Sequence, residues 1–149
     1  WIIFGEGRMK ELVIKEITTH GLENNFILKG ALPATEMPKY FCCVDGLIVS
    51  LKKSEIFSIT IPGKLQSYLA CGKPIIGSLD GIGAQIINDS KCGFTSKAES
   101  VEELVESILR LYNLTIEDRK LLGNNGRNYF EKEFERESLL DKLENILHT

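Results

Sequence analysis

The sequence has no surplus of positive charge: 18 Lys and Arg stand against 21 Asp and Glu, for a formal net charge of −3 and a pI near 5.5. Without a cationic field, nucleic acid is not the expected partner. No apolar run approaches the roughly 20 residues of a membrane span. The opening Trp1-Ile2-Ile3-Phe4 is too brief for a signal-peptide core, and no cleavage pattern follows it. Of the four cysteines, Cys42, Cys43, Cys71 and Cys92, no two form a C-x-x-C pair, which removes the zinc-knuckle and thioredoxin signals. Neighbouring Cys42 and Cys43 cannot easily reach disulfide geometry. All four read as small buried thiols in a reducing cytosol. The only histidines, His20 and His148, are isolated, and no Ser-His-Asp or Cys-His constellation is evident. Repeats, low-complexity tracts and linkers are also lacking.

What is there is ordinary globular composition: 149 residues, 43% hydrophobic and 26% charged. That suits one domain or a piece of one, able to bury a core without a disulfide or metal staple. Because the chain opens at Trp1 directly into an apolar strand, the expectation is a piece cut from a longer protein.

Short continuous apolar runs alternate with helical patterns. Residues 1–4 read as a buried strand ended by Gly5-Glu6-Gly7. A helix from Arg8 to about His20 places Met9, Leu12, Val13 and Ile17 on one face, and Gly21 stops it. Phe26-Ile27-Leu28 is a strand ended by Gly30. Thr35 reads as the N-cap of a short helix carrying Met37, Tyr40 and Phe41. Residues 46–50 form a further buried strand. Residues 51–62 are irregular, a helix runs from Gly63 to Cys71, and strands follow at 74–78 and 93–95. Ser100 and Glu103 make a capping box. Val101, Leu104, Val105, Ile108 and Tyr112 then mark one apolar face. Thr115-x-x-Asp118 opens the next helix, and a last one aligns Leu139, Leu140, Leu143, Ile146 and Leu147. Continuous apolar strands are buried on both faces, so the class is α/β with a mostly parallel sheet. Ligands of such sheets sit beyond the carboxyl ends of the strands.

One segment carries the clearest chemistry. Pro62-Gly63 turns the chain into a helix whose first turn exposes unpaired N–H groups and partial positive charge. Gly63 lets a ligand approach the backbone, Lys64 adds a full charge, and Ser67 offers a hydroxyl one turn on. Together with the N–H of Leu65, these residues suit a phosphate or diphosphate. The alternative is a plain strand–helix–strand connection with an exposed lysine. Gly5-Glu6-Gly7 lacks the third glycine of a dinucleotide fingerprint, since Lys10 stands there, and reads better as a tight strand-to-helix turn. Asp80, in Leu79-Asp80-Gly81-Ile82-Gly83, reads either as a donor-side loop residue or as a cap for the next helix.

Pro62-Gly63-Lys64-Leu65-Gln66-Ser67-Tyr68-Leu69-Ala70-Cys71-Gly72-Lys73-Pro74-Ile75-Ile76 resembles the donor-site helix of retaining GT-B glycosyltransferases of family 4, group 1, with its P-x-K-L-x-E-Y-x-A-x-G-K-P pattern. Ile2-Ile3-Phe4-Gly5-Glu6-Gly7 is similar to that family's "ivGdG" element, and Phe26-Ile27-Leu28-Lys29-Gly30 to its "v-x-f-x-G" strand. Val44-Asp45-Gly46-Leu47-Ile48-Val49 and Cys92-Gly93-Phe94 resemble further elements, in the same order along essentially the whole chain. The resemblance implies a Rossmann-like doubly wound parallel sheet, the C-terminal half of a GT-B fold. Residues 1–149 would be a partial nucleotide-sugar-binding domain without its first strand–helix unit.

The function so implied is transfer of a sugar from a nucleoside diphosphate sugar to a saccharide or lipid-linked acceptor, in surface polysaccharide or glycan synthesis. The other half of the enzyme would bind the acceptor, and the isolated chain would be inactive. In this reading the diphosphate meets Gly63, Lys64 and Leu65. Ser67, standing where the family has a glutamate, meets the ribose, and Glu55 meets the donor sugar. Gly5, Gly7, Gly30, Ala31 and Leu32 border the base. No metal and no cofactor is expected, in keeping with the lack of a D-x-D pair. The place is the cytoplasm, with peripheral association at the inner membrane face as an option for the full-length protein. The alternatives are half of a nucleotide-sugar epimerase and a non-catalytic nucleotide-binding module.

Overall fold

The computed structural model describes residues 1–148, and the chain splits into two compact units, one ending at Tyr40 and one beginning at Phe41. In the first unit, strand β1 (Ile2–Phe4) pairs in parallel with β2 (Ile27–Lys29), Ile2 opposite Ile27 and Phe4 opposite Lys29. Helix α1 (Lys10–Thr19) connects them, as parallel pairing requires. The expected burial is not seen. Ile2 and Ile3 are 38% and 39% exposed, Met9 and Leu12 are exposed, and Ile17 is the buried residue of α1. Within this unit two short strands and one helix offer too little apolar surface to enclose both sheet faces. Phe4 instead packs edge-on against Tyr40 at 4.9 Å.

A 3-10 turn (Ala34–Glu36) leads into α2 (Met37–Phe41), and Pro33 rather than Thr35 stands at its N-cap. The fixed φ of proline presets that entry.

The second unit holds the core. Its parallel sheet runs β3 (Leu47–Ser50), β4 (Ile75–Ser78), β5 (Gly93–Ser96) in that order, with Ile75 opposite both Leu47 and Gly93. Every residue of the central β4 is buried, which accounts for its unbroken apolar sequence. Val49, Leu65, Leu69, Ile75, Leu79, Ile86, Ile87 and Cys92 form one cluster. Its side chains come from β3 and β4, from α4 (Gly63–Ala70) and α5 (Ile82–Asp89), and from Leu79 just after β4 and Cys92 just before β5. Residues 51–62, expected to be irregular, include a one-turn helix α3 (Glu55–Ser58).

Helix α6 (Val101–Tyr112) packs on β4 and β5, and α7 (Ile116–Glu133) packs on α4. The α4–α7 approach is close because α7 presents buried Gly123 and Gly126 there. A Cβ on Gly123 would lie 2.1 Å from the Gly72 carbonyl oxygen. Arg127 of α7 donates to the Ala70 carbonyl (2.7 Å), satisfying one of the open acceptors at the end of α4.

Both expected caps hold their helices: Glu103 N–H donates to Ser100 Oγ, and Asp118 N–H to Thr115 Oγ1. The capping box at Ser100 is not reciprocal, however. Glu103 Oε2 accepts from the Lys97 N–H (2.9 Å), and its Oε1 pairs with the Lys97 ammonium.

The face of α6 is also rotated from the expected one. Ser107 and Leu111 are buried and Leu104 and Ile108 are half-buried, whereas Val101 (66%), Val105 and Tyr112 (75%) are exposed. The contact line is set by Ser107, small enough to let the helix seat on β5, where its hydroxyl donates to the Thr95 carbonyl (3.4 Å). In α8 (Arg136–Leu147) the aligned Leu139, Leu140, Leu143, Ile146 and Leu147 are all exposed.

Candidate functional site

The carboxyl ends of β3 and β4 open into residues 51–62 and 79–83, and α4 begins among these segments. Pro62 stands at the N-cap of α4 in an extended conformation (φ −63°, ψ 125°), and among the described residues no side chain caps the helix. The Leu65 N–H donates to the Pro62 carbonyl (2.8 Å), and the Leu65 side chain is fully buried. This corrects one expectation. The amide of Leu65 is already engaged, and the N–H groups without an acceptor among the described residues are those of Gly63 and Lys64.

No described residue comes within 4 Å of where a Cβ on Gly63 would be, so the helix start is open on that side. Lys64 is exposed, and no described carboxylate pairs with it. Ser67 is exposed three residues on, one turn along the same face. Gly63, Lys64 and Ser67 thus form one accessible edge with two free N–H donors, one ammonium and one hydroxyl. An anion with several acceptor oxygens fits that set, since it supplies the acceptors a helix start lacks.

Glu55 opens α3 and is exposed without an ion pair among the described residues; its carbonyl accepts the Ser58 hydroxyl (2.7 Å). Asp80 is not a cap. Gly81 occupies the N-cap of α5, and Asp80 Oδ1 accepts the Ala98 N–H (3.2 Å), fastening the turn after β4 to the connection after β5.

In the first unit, the turns after β1 and β2 adjoin. Gly5 N–H donates to the Lys29 carbonyl (3.3 Å), and Glu6 Oε1 lies 2.9 Å from where a Cβ on Gly30 would be. A concavity of about 240 Å³ there is lined by Gly5 and Gly7 together with the apolar Ile3, Phe4, Met9, Val13 and Leu28. Gly30, Ala31 and Leu32 do not line it; Gly30 and Ala31 are exposed and Leu32 half-buried. Lys10 pairs with Glu6 (2.9 Å), and that hydrogen bond raises the lysine pKa.

A second concavity, about 400 Å³, lies where ligands of a parallel sheet are expected, beyond the carboxyl ends of the strands. Ser50, Leu51, Lys52 and Ser78 line it at the carboxyl ends of β3 and β4, with Glu99, Ser100, Val101 and Leu104 at the start of α6. None of the expected site residues reaches it. Its signal in the sequence is the end of two parallel strands, at Ser50 and Ser78, and the loop that opens at Leu51.

The cysteines do not share one environment. Cys92 is buried, Cys71 half-buried, and Cys42 and Cys43 are exposed, contrary to the expectation of four buried thiols. Burial pushes the Cys92 and Cys71 thiols up.

Comparison with known proteins connects this geometry to a family. The model described as "Glycosyl transferases group 1" matches residues 1–129. The poly(ribitol-phosphate) alpha-N-acetylglucosaminyltransferase of Staphylococcus aureus (strain COL) is 26% identical over 149 residues, 99% of this chain and 28% of that protein. An uncharacterized glycosyltransferase of Methanocaldococcus jannaschii is 26% identical over 130 residues, 87% of this chain and 35% of that protein. Among solved structures, Anabaena Alr3699/HepE in complex with UDP superimposes with a TM-score of 0.81 at 18% identity, covering 99% of this chain and 40% of that one. A mutant of S. aureus TarM, in complex with fondaparinux, alpha-GlcNAc-glycerol and UDP, gives 0.80 at 21% identity, covering 99% and 29%. The chain therefore spans between 28% and 40% of the length of these relatives.

Proposed function

The chain belongs to the family of glycosyl transferases group 1, and on that premise we propose that it is the donor-binding part of a glycosyltransferase. Its fold is the Rossmann-like C-terminal domain of GT-B enzymes. The substrate in this reading is a nucleoside diphosphate sugar, held by its diphosphate at the start of α4. The carrying observation is that this start is uncapped and open, with the N–H groups of Gly63 and Lys64 and the Lys64 ammonium free of partners among the described residues. Solved relatives bound to UDP or UDP-glucose support the choice of donor class.

The chemistry follows from charge. When the sugar leaves, negative charge grows on the departing diphosphate. The fixed N–H dipoles of the helix start stabilise it without reorganising, and the exposed Lys64 ammonium adds a full charge beside them. No resident metal is part of this scheme. Ser67, one turn along, meets the ribose, and Glu55 meets the donor sugar. Gly5, Gly7, Gly30, Ala31 and Leu32 border the base. Transfer proceeds with retention, to a saccharide or lipid-linked acceptor bound by the rest of the enzyme, at the cytoplasmic face of the membrane. A surface polysaccharide or glycan is the product class. The relative that transfers N-acetylglucosamine to poly(ribitol phosphate) supports that class.

Calorimetry with UDP and GDP on the intact enzyme tests the site. Lys64→Ala removes a charge-assisted contact of about 1.5–3 kcal/mol, so nucleotide affinity should fall roughly 10- to 100-fold. Unchanged affinity in a folded Lys64→Ala enzyme would overturn the diphosphate assignment.

A further inference from the structure

We propose that Gly81 is a positioning residue: the turn that carries it is a ledge fixing the segment from α3 to Lys64, and so the aim of the α4 start. This inference rests on the donor reading given above. Gly81 has φ +71° and ψ −141°, a conformation that side chains other than glycine's hydrogen adopt only under strain. More tellingly, a Cβ there would stand 1.9 Å from the Ser58 carbonyl oxygen and 2.6 Å from Ser58 Cα. Both are backbone atoms, which cannot swing aside as a side chain would. Two residues on, a Cβ on Gly83 would meet Leu79 Cδ1 at 2.2 Å and Pro62 Cδ at 3.3 Å. The same turn therefore touches both ends of the loop that delivers Gly63 and Lys64.

The two sides of this contact are not equally firm. The turn is fastened by the Leu79 N–H to the Ser96 carbonyl (3.1 Å), by Asp80 Oδ1 to the Ala98 N–H (3.2 Å) and by the Gln85 N–H to the Gly81 carbonyl (3.0 Å); Leu79 itself is buried in the core. The facing segment has local bonds, Ser58 N–H to Ser54, Ser58 Oγ to Glu55 and Thr60 Oγ1 to Ile56, and beyond them the packing of half-buried Ile61 on the core. Its Ile56 and Ile59 are 70% and 72% exposed. A methyl group at position 81 therefore moves α3, not the turn. A shift of about 1 Å in a binding group far from the reacting atoms can cost a hundredfold in rate.

The test uses the intact enzyme, with UDP and GDP as probes and the matching nucleoside as competitor. Gly81→Ala should weaken diphosphate binding about tenfold and leave nucleoside binding unchanged, because the displaced group faces the phosphates. Leu111→Ala, a buried truncation on α6 beside Gly46, at the opposite end of the sheet from this turn, should lower the melting temperature and leave both affinities alone. A folded Gly81→Ala enzyme with wild-type UDP or GDP affinity overturns the proposal, as does equal weakening of nucleoside and diphosphate. If Gly81→Ala does not fold, Gly83→Ala decides: its Cβ meets the Cδ1 end of buried Leu79 and reaches Pro62 Cδ, no backbone atom among its near contacts, and a two- to threefold loss of diphosphate affinity is expected, none overturning the proposal. Lys64→Ala separates the two levels. If it leaves affinity intact, the donor reading itself fails. If it weakens binding while Gly81→Ala does not, the ledge alone is wrong.

Discussion

At the scale of single residues, the chemistry is set by what each group is denied. Among the described residues Lys64 is denied a carboxylate, and the N–H groups of Gly63 and Lys64 an acceptor, which leaves them for a ligand. Glu103 has the opposite situation. It accepts the Lys97 N–H and pairs with the Lys97 ammonium, which hold its carboxyl below the ordinary carboxylate range. A lowered folded-state pKa stabilises above the unfolded value and is lost as pH falls through the folded one. Following the Glu103 carboxyl by NMR titration should show its midpoint below that of free glutamate, and Lys97→Ala should move it back up less than fully, since the backbone donor survives. The thiols divide the same way. Brief maleimide treatment at neutral pH should label Cys42 and Cys43 and spare Cys92, whose burial both shields it and raises its pKa, as peptide mass spectrometry would read.

At the scale of elements, the caps and the glycine packing can be probed directly. Ser100→Ala removes the side-chain acceptor for the Glu103 N–H and should destabilise by about 1 kcal/mol in urea unfolding. Gly123→Ala drives a methyl group against the Gly72 backbone and should cost about 1–3 kcal/mol, more than a helix alanine gains over glycine. Strand and helix positions were legible because their signals are local. The run Leu47-Ile48-Val49 reads as a strand from its β-branched residues and short length, and Thr115-x-x-Asp118 marks a helix start. The open start of α4 was legible for the same reason, since Pro62-Gly63-Lys64 states it within three residues. Facing was not legible. Val101 and Tyr112 looked like core from periodicity, but which stripe of α6 turns inward depends on how closely Ser107 lets it approach β5. Nor could the sequence reveal that Gly81 touches Ser58, 23 positions earlier, or that Asp80 reaches Ala98. Those are tertiary meetings with no pattern of their own.

At the scale of the whole molecule, order is unevenly distributed. Buried apolar residues concentrate from Phe41 onward, whereas Ile17 is the one before it. Native-state hydrogen exchange should therefore find the β4 amides protected to nearly the full unfolding free energy and those of β1 and β2 opening far more readily. Leu143 is exposed on α8, so Leu143→Glu should leave the melting temperature almost unchanged while Leu69→Ala, in the core, loses about 2–5 kcal/mol.

The bare beginning of α4 has a thermodynamic corollary. A helix that brings no cap of its own forgoes roughly 1 kcal/mol that serine or aspartate at position 62 would have contributed. The molecule carries that deficit whenever it is empty. A guest that completes the helix makes up the shortfall, so occupancy and heat resistance rise together.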